Sequence, residues 1–240
     1  MTSSIKFDSE TIHIVRSPKR IRSTSLSILP DHSIQIRTSP WTSVQTITDF
    51  VKSKWSWIIK VRSRLPKTSA DRLYQPGTNL YYLGKAYLVT WHQNSSLASP
   101  KLAFSPDTGF VYQVPSHHSP ETNLKAIRDL TIRWYKHQLE SILFVRIAYY
   151  ANLIGASYKR VTIKDVSSIW GSCSRQGNLN FNRRLILTPP DALDYVIAHE
   201  VSHLIHHHHR PTFWAQVARL CPDYKTHIKW FKTNQFLLQM

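Results

Sequence analysis

The chain has 240 residues, 42% of them apolar, with 8 Trp and 11 Tyr; that is enough for a sizeable core in one domain or two intimately packed ones. Only 6 Gly and 13 Pro exclude a low-complexity chain. The net charge of +17, about +13 of it in residues 1–170, favours polyanions such as nucleic acid, nucleotides or anionic membrane, yet no helix-turn-helix, zinc-finger or RRM signature accompanies it. Two cysteines, Cys173 and Cys221, with no C-x-x-C, fit a reducing compartment. The polar start Thr2-Ser3-Ser4-Ile5-Lys6 lacks the apolar core of a signal peptide, and no apolar run reaches the roughly 18 residues of a membrane span. A cytoplasmic protein is expected.

Residues 1–40 alternate like short strands. Ile12, Ile14 and Arg16 form one run, and Leu26-Ser27-Ile28 and Ile34-Gln35-Ile36 flank a turn at Pro30-Asp31-His32-Ser33. The segment from Arg16 to Arg22 is a basic loop, either a phosphate contact or a solvated surface. Thr42 or Ser43 caps a helix over 44–62, where Val44, Ile47, Val51, Trp55 and Ile58 recur at helical spacing. Residues 63–78, with Pro66, Pro76 and Gly77, read as a loop. Tyr81 to Val89 forms a hairpin around Gly84, with aromatic cross-strand contacts supplied between Tyr82 and Trp91. Strands at 101–105 and 110–114 flank the tight turn Pro106-Asp107-Thr108-Gly109.

A long helix follows from about 120 to 155, started by Pro120-Glu121 and ended by Gly155. Val161-Thr162-Ile163 is a strand. Asn178 to Leu187 alternates through Leu179, Phe181, Arg183, Leu185 and Leu187 as another, which is either an ordinary paired strand or one whose free edge offers an extended substrate a pairing partner. Pro211 to Leu220 is a short helix with Phe213, Trp214 and Val217 inward, and Lys225 to Phe236 a last, basic one. The pattern predicts an α+β fold, with a β-rich module carrying one helix over residues 1–118 and a second domain over 119–240.

The second domain contains His199-Glu200-Val201-Ser202-His203, an H-E-x-x-H pattern. On a helix, residues four apart share a face, so His199 and His203 can aim two imidazole nitrogens at one cation. Glu200 lies about 100° round the helix, near that cation without pointing at it, where a carboxylate can take a proton from a water the ion activates. Thr188 reads as the N-cap, Pro189 as N1 and Asp191 as N3 of this helix. Two polar imidazoles among Leu193, Val196, Ile197, Val201 and Leu204 would be costly to bury without a partner, and a metal supplies one. Zinc requires a third protein ligand. His207 continues the helical ladder but lies about 6 Å beyond His203, beside the pair instead of opposite it. Pro211 forces a turn, and His209 lies in that break; His209 is the expected third ligand and His206 the alternative.

These residues and their flanks resemble the YgjP-like (DUF45) metallopeptidase family, zincin-like proteins related to the SprT-like peptidases. The resemblance rests on Trp170-Gly171-Ser172-Cys173, on Gly177 to Leu185, on Asp194-Tyr195-Val196 with the H-E-x-x-H, and on His209, Pro211, Phe213-Trp214 and Cys221-Pro222-Asp223-Tyr224. It is strongest over 160–232, and the N-terminal hairpin shares it more weakly. It implies a zincin-like metal-dependent hydrolase domain over 119–240, with the ligands on His199, His203 and His209, the general base on Glu200, and the long helix behind the metal-bearing one. The chain departs from the family at Ile169, His208 and Arg210, where the family has Arg, Asn and Ser; the ligand set is untouched.

A zinc metallopeptidase acting on protein or peptide is therefore expected, with another divalent transition metal compatible with imidazole ligands. Tyr195, one turn before His199, is either a core residue or a support for the site. Two rival functions share the motif: a metal-dependent nucleoside-triphosphate pyrophosphatase, and a nucleic-acid-associated protein with a structural metal site. The sequence carries no signal of oligomeric state.

Overall fold

A computed structural model describes residues 2–8, 10–18, 23–29, 33–63, 73–166, 169–234 and 238. The chain divides into two compact units, Met1–Ala70 and Asp71–Leu238. The boundary expected after residue 118 falls inside the second unit.

The first unit is a four-stranded sheet and a helix. Its strands are β1 (Thr2–Phe7), β2 (Glu10–Arg16), β3 (Ser25–Ile28) and β4 (Ile34–Thr38), ordered β1-β2-β4-β3, with β2 and β4 parallel and the outer pairs antiparallel. Alternation puts Ile12, Ile14, Ile34 and Ile36 on one face, against Ile47, Val51 and Ile58 of α1 (Val44–Arg62). Ser43 caps α1 through its hydroxyl, which accepts from the Thr46 N–H at 3.1 Å. β1 was not legible in sequence. The Arg16 guanidinium donates to the carbonyls of Ser39, Pro40 and Thr42, so it braces its own unit instead of extending outward. Lys19 to Arg22, Pro30 to His32 and most of the 63–78 loop lie outside the described residues.

The second unit carries the H-E-x-x-H. It begins with a sheet of β5 (Asn79–Tyr82), β6 (Lys85–Asn94), β7 (Lys101–Ser105) and β8 (Gly109–Pro115), ordered β5-β6-β8-β7. This sheet packs on α2 (Pro120–Leu153), which explains where the boundary falls. Tyr82, Phe104 and Phe110 sit 4.8–5.4 Å, ring to ring, from one another or from Trp134 of α2. Tyr112 shares a buried 2.6 Å hydrogen bond with Thr131, and Tyr135 donates to the Tyr81 carbonyl at 2.6 Å. Ser119 caps α2 and Gly155, at φ +65°, follows its end.

A three-stranded sheet follows, of β9 (Arg160–Lys164), β10 (Gly171–Cys173) and β11 (Asn178–Asn182), ordered β10-β11-β9. β11 is central, so of its two readings the ordinary paired strand holds and it has no free edge; the edge strands are β9 and β10. The strand also stops at Asn182 instead of running to Leu187. The Asn182 side chain accepts from the Arg184 N–H at 3.0 Å and donates to the carbonyls of Val166 and Ile169, which turns residues Arg183–Leu187 into a 3-10 helix.

The helix that carries the H-E-x-x-H, α3, spans Pro190–Ser202, with α4 (Pro211–Leu220) and α5 (Tyr224–Asn234) after it. Its N-cap is Pro189 with Pro190 at N1; Thr188 does not cap it, because the buried Thr188 hydroxyl donates to the Leu185 carbonyl at 2.7 Å. The helix entry is held from outside. Leu83 and Gly84, at φ +47° and +79°, make the two-residue tip of the β5–β6 hairpin, and their N–H groups donate to the carbonyls of Ile186 and Leu187 at 2.9 and 3.2 Å. From behind, α2 packs on α3, and Arg146 of α2 pairs with Asp194 of α3 at 3.3 Å. Among the described residues no helix is long and apolar enough to cross a membrane.

A methyl group on Gly84 would lie 2.9 Å from the Cα and Cγ of Pro189, at a φ that side chains disfavour. Gly84→Ala is expected to cost roughly 1–3 kcal/mol by chemical denaturation, since crowding and a left-handed φ act together. A loss below a few tenths would mean that the hairpin tip does not hold the α3 entry.

Candidate metal centre

α3 ends sooner than Pro211 demands. His203 is its C-cap, in helical geometry at φ −69°, with its N–H on the His199 carbonyl. Both histidines therefore keep the one-turn spacing, while the ladder stops before His207. The chain then turns back through 204–209 and restarts at Pro211, with Arg210 extended at ψ 170° as the residue before a proline requires.

That reversal brings His209 over the first two. Its Nε2 lies 3.1 Å from His203 Nε2 and 3.2 Å from His199 Nε2. Among the described residues, these three form a group able to hold one metal ion. Ligands at about 2.05 Å in tetrahedral array around zinc stand roughly 3.3 Å apart, close to the separations seen. The His203 tautomer agrees: its Nδ1 is 2.8 Å from the His206 carbonyl, which can only accept, so Nδ1 carries the proton and Nε2 offers its lone pair. His206 thus contributes its backbone, while its ring sits beside His208 at 5.7 Å, away from the three.

Phe213 organises the rings. Fully buried on the first turn of α4, it stacks on His203 at 4.4 Å and meets His199 and His209 edge-on at 4.9 and 4.8 Å. Trp214 backs His199 and His209 at 5.7 and 5.8 Å and stacks on Tyr224. Tyr195 lies 6.0 Å from His199 and stacks on His227, so it works as packing behind the imidazole. Burial, then the neighbouring His203 and His209, pushes His199 down to about 3, so its imidazole is neutral and available near neutral pH.

Glu200 is 5% exposed, and burial pushes it up to about 8. Its carboxyl lies against Gly171 of β10: a Cβ there would stand 2.6 Å from Glu200 Oε1 and Cγ. Only glycine lets the edge strand approach this closely. A cleft of about 340 Å³ opens here, lined by Gly171, Ser172, Cys173, Arg175, His199, Glu200, His203, His207 and His209. The predicted set His199, Glu200, His203 and His209 is thus brought together. Gly171 and Arg175 carry no signature by which sequence reasoning finds their roles. Burial, then Glu200, raises the Cys173 thiol to about 11, which leaves it a poor nucleophile. Cys173 and Cys221 are both free.

The metal-free protein should show these charges in its stability. Glu200 binds its proton more tightly folded than unfolded, so its contribution is complete below about pH 4.5 and is lost as pH rises to about 8. His199 acts oppositely, its contribution being present above about 6.5 and lost as pH falls to about 3. The two oppose each other between 4.5 and 6.5. Chelator-treated protein should therefore melt lower at pH 8 than at pH 6.5, and Glu200→Gln should remove most of that difference; an equal drop in the variant would contradict the assignment. Gly171→Ala should displace the carboxyl and lower the melting temperature of the metal-free protein.

Comparison with known proteins follows this geometry. No curated protein sequence matches the chain. Among solved structures, the metallopeptidase zymogen abylysin of Pyrococcus abyssi superposes on 39% of this chain and 95% of its own, at 17% identity and a TM-score of 0.36. At that score the superposition carries no weight for fold or activity. The YgjP-like metallopeptidase-domain model matches residues 22–234, nearly the whole chain, and the chain belongs to the YgjP-like metallopeptidase family, which makes it a metal-dependent hydrolase.

Proposed function

We propose that this chain is a zinc metallopeptidase in which His199, His203 and His209 hold the ion and Glu200 is the general base. The single observation that carries this reading is the convergence of three imidazole nitrogens beside a buried carboxyl group at the wall of an open cleft. When bound, the ion polarises a carbonyl and lowers the pKa of a water towards 7. Glu200 removes a proton from that water and later delivers it to the leaving amine. Its raised pKa suits both roles near neutrality, and a cation alongside strengthens its basic form. His206 fixes the His203 tautomer through its carbonyl, and Phe213 holds the three rings at their angles. Tyr195 supports His199 from behind.

The substrate is read as an extended peptide. Among the described residues, no strand pairs with the outer edge of β10, and β10 forms the cleft wall next to Glu200. Its backbone groups are free to add a substrate strand and so hold a scissile amide near the imidazoles. The two free thiols support a reducing compartment, the cytoplasm.

A structural metal site is disfavoured, because structural zinc takes four protein ligands and here three imidazoles face a cleft. The pyrophosphatase alternative draws on the +17 charge. Zinc-loaded protein should cleave casein, and Glu200→Gln should lower that rate by about 10²- to 10⁴-fold while retaining about one equivalent of zinc. Hydrolysis of UTP but not casein, lost in the same variant, would select the pyrophosphatase. Undiminished casein cleavage by the variant would remove Glu200 from the mechanism.

A further inference from the structure

The cleft holds one charge that the chemistry above leaves unused. Among the described residues Arg175 is the only permanent cation lining it, beside Gly171, Ser172 and Cys173. Two other arginines of this unit have carboxylate partners: Arg146 pairs with Asp194 and Arg183 with Asp165. Among the described residues, no carboxylate or carbonyl engages the Arg175 guanidinium.

Its backbone is held firmly. Arg175 occupies the turn between β10 and β11, where the Gly177 N–H donates to the Ser174 carbonyl at 2.9 Å and the Ser174 N–H to the Asn178 carbonyl at 2.9 Å. The Ser174 hydroxyl accepts from both the backbone and side-chain N–H groups of Asn178 at 3.2 Å. Gly177, at φ +77°, closes the turn, and its carbonyl accepts from the Lys159 N–H. A guanidinium on a fixed base loses less freedom when it binds, and its planar fork matches a carboxylate.

We propose that Arg175 determines specificity in this cleft by pairing with a substrate carboxylate, so that acidic peptides are the preferred substrates. The proposal rests on the peptidase reading above. Gly171 abuts Glu200, and Arg175 lies four positions further along the same hairpin. At about 3.3 Å per residue, its side chain reaches a carboxylate within roughly three residues of the scissile amide on a chain paired with β10. The excess of 31 Lys and Arg over 14 Asp and Glu draws acidic chains towards the same protein. The carboxylate belongs either to an Asp or Glu side chain or to a peptide C terminus.

The test uses the full zinc-loaded chain and quenched fluorescent peptides that differ only by Glu or Gln, each with a free or amidated C terminus. Either the Glu-over-Gln ratio or the free-over-amidated ratio of kcat/KM should be roughly three- to tenfold, should collapse towards one in Arg175→Gln, and should return in part in Arg175→Lys. A Glu-over-Gln ratio that is the same with free and amidated ends assigns the carboxylate to a side chain, and a loss on amidation that is equal for Glu and Gln peptides assigns it to the C terminus. The same peptides are also titrated by anisotropy into the inactive Glu200→Gln protein, where Arg175→Gln should weaken the acidic peptide selectively. Both ratios near one in the wild type, a preference unchanged in Arg175→Gln, or tighter Arg175-dependent binding of single-stranded DNA than of the acidic peptide overturns the proposal. If no peptide or casein is cut, the peptidase reading falls, and the anisotropy ratio still decides whether Arg175 selects carboxylates.

Discussion

Three convergent imidazoles, with the His209 Nε2 within about 3.2 Å of the Nε2 atoms of both His199 and His203, are the constraint around which the second unit is built. Protonated rings at that spacing would repel, and neutral rings present lone pairs to one another. Burial and mutual proximity resolve this by holding His199 neutral, while the His206 carbonyl fixes the proton of His203 on the far nitrogen. The resulting cluster is unsatisfied by protein alone and suited to one cation. Sequence spacing creates the first pair, because a helical turn separates His199 and His203. A chain reversal creates the third, because α3 stops at His203 and α4 restarts at Pro211.

The surrounding elements keep that arrangement stiff. The 3-10 helix, the β5–β6 hairpin tip and α2 fix where α3 begins and how it lies. Phe213 ties α4 to α3 through all three rings, so the third imidazole is held by packing instead of by its own loop. β10 completes the site from the opposite side, and the missing side chain at Gly171 is what allows a buried carboxylate to sit between strand and helix. A cleft assembled from a helix, an edge strand and a chain reversal keeps rigid parts at its centre and leaves an exposed rim, where Arg175 and His207 lie.

Much of this was legible in sequence, for physical reasons. Strong periodicity announced α1 and α2, and the hairpin at Gly84 and the turn at Gly109 follow from turn chemistry. The four candidate residues that the structure brings together stand out in the sequence because metal chemistry demands fixed residue types at fixed spacing. What escaped depended on tertiary contacts. Asn178 to Leu187 alternates like one strand, but the Asn182 side chain captures two distant carbonyls and ends it after five residues. Thr188 has the right type for an N-cap, yet its hydroxyl is already committed to Leu185. Whether β11 has a free edge is open in the sequence because strand order is not written in local pattern; β9 and β10 flank it. The domain boundary moved because the aromatic faces of the second sheet and α2 are one core. Gly171 and Arg175 gain meaning only once β10 lies beside α3.

The account stands on three convergent imidazoles binding a single ion. Its most direct test is titration of the chelator-treated protein with cobalt(II), followed by visible absorption and equilibrium dialysis, in the wild type and in His209→Ala and His206→Ala. One equivalent bound with the intense bands of a tetrahedral site, weakened by orders of magnitude in His209→Ala and retained in His206→Ala, is the predicted result. Binding by the wild type at less than one equivalent, or binding that survives His209→Ala unchanged, would contradict it.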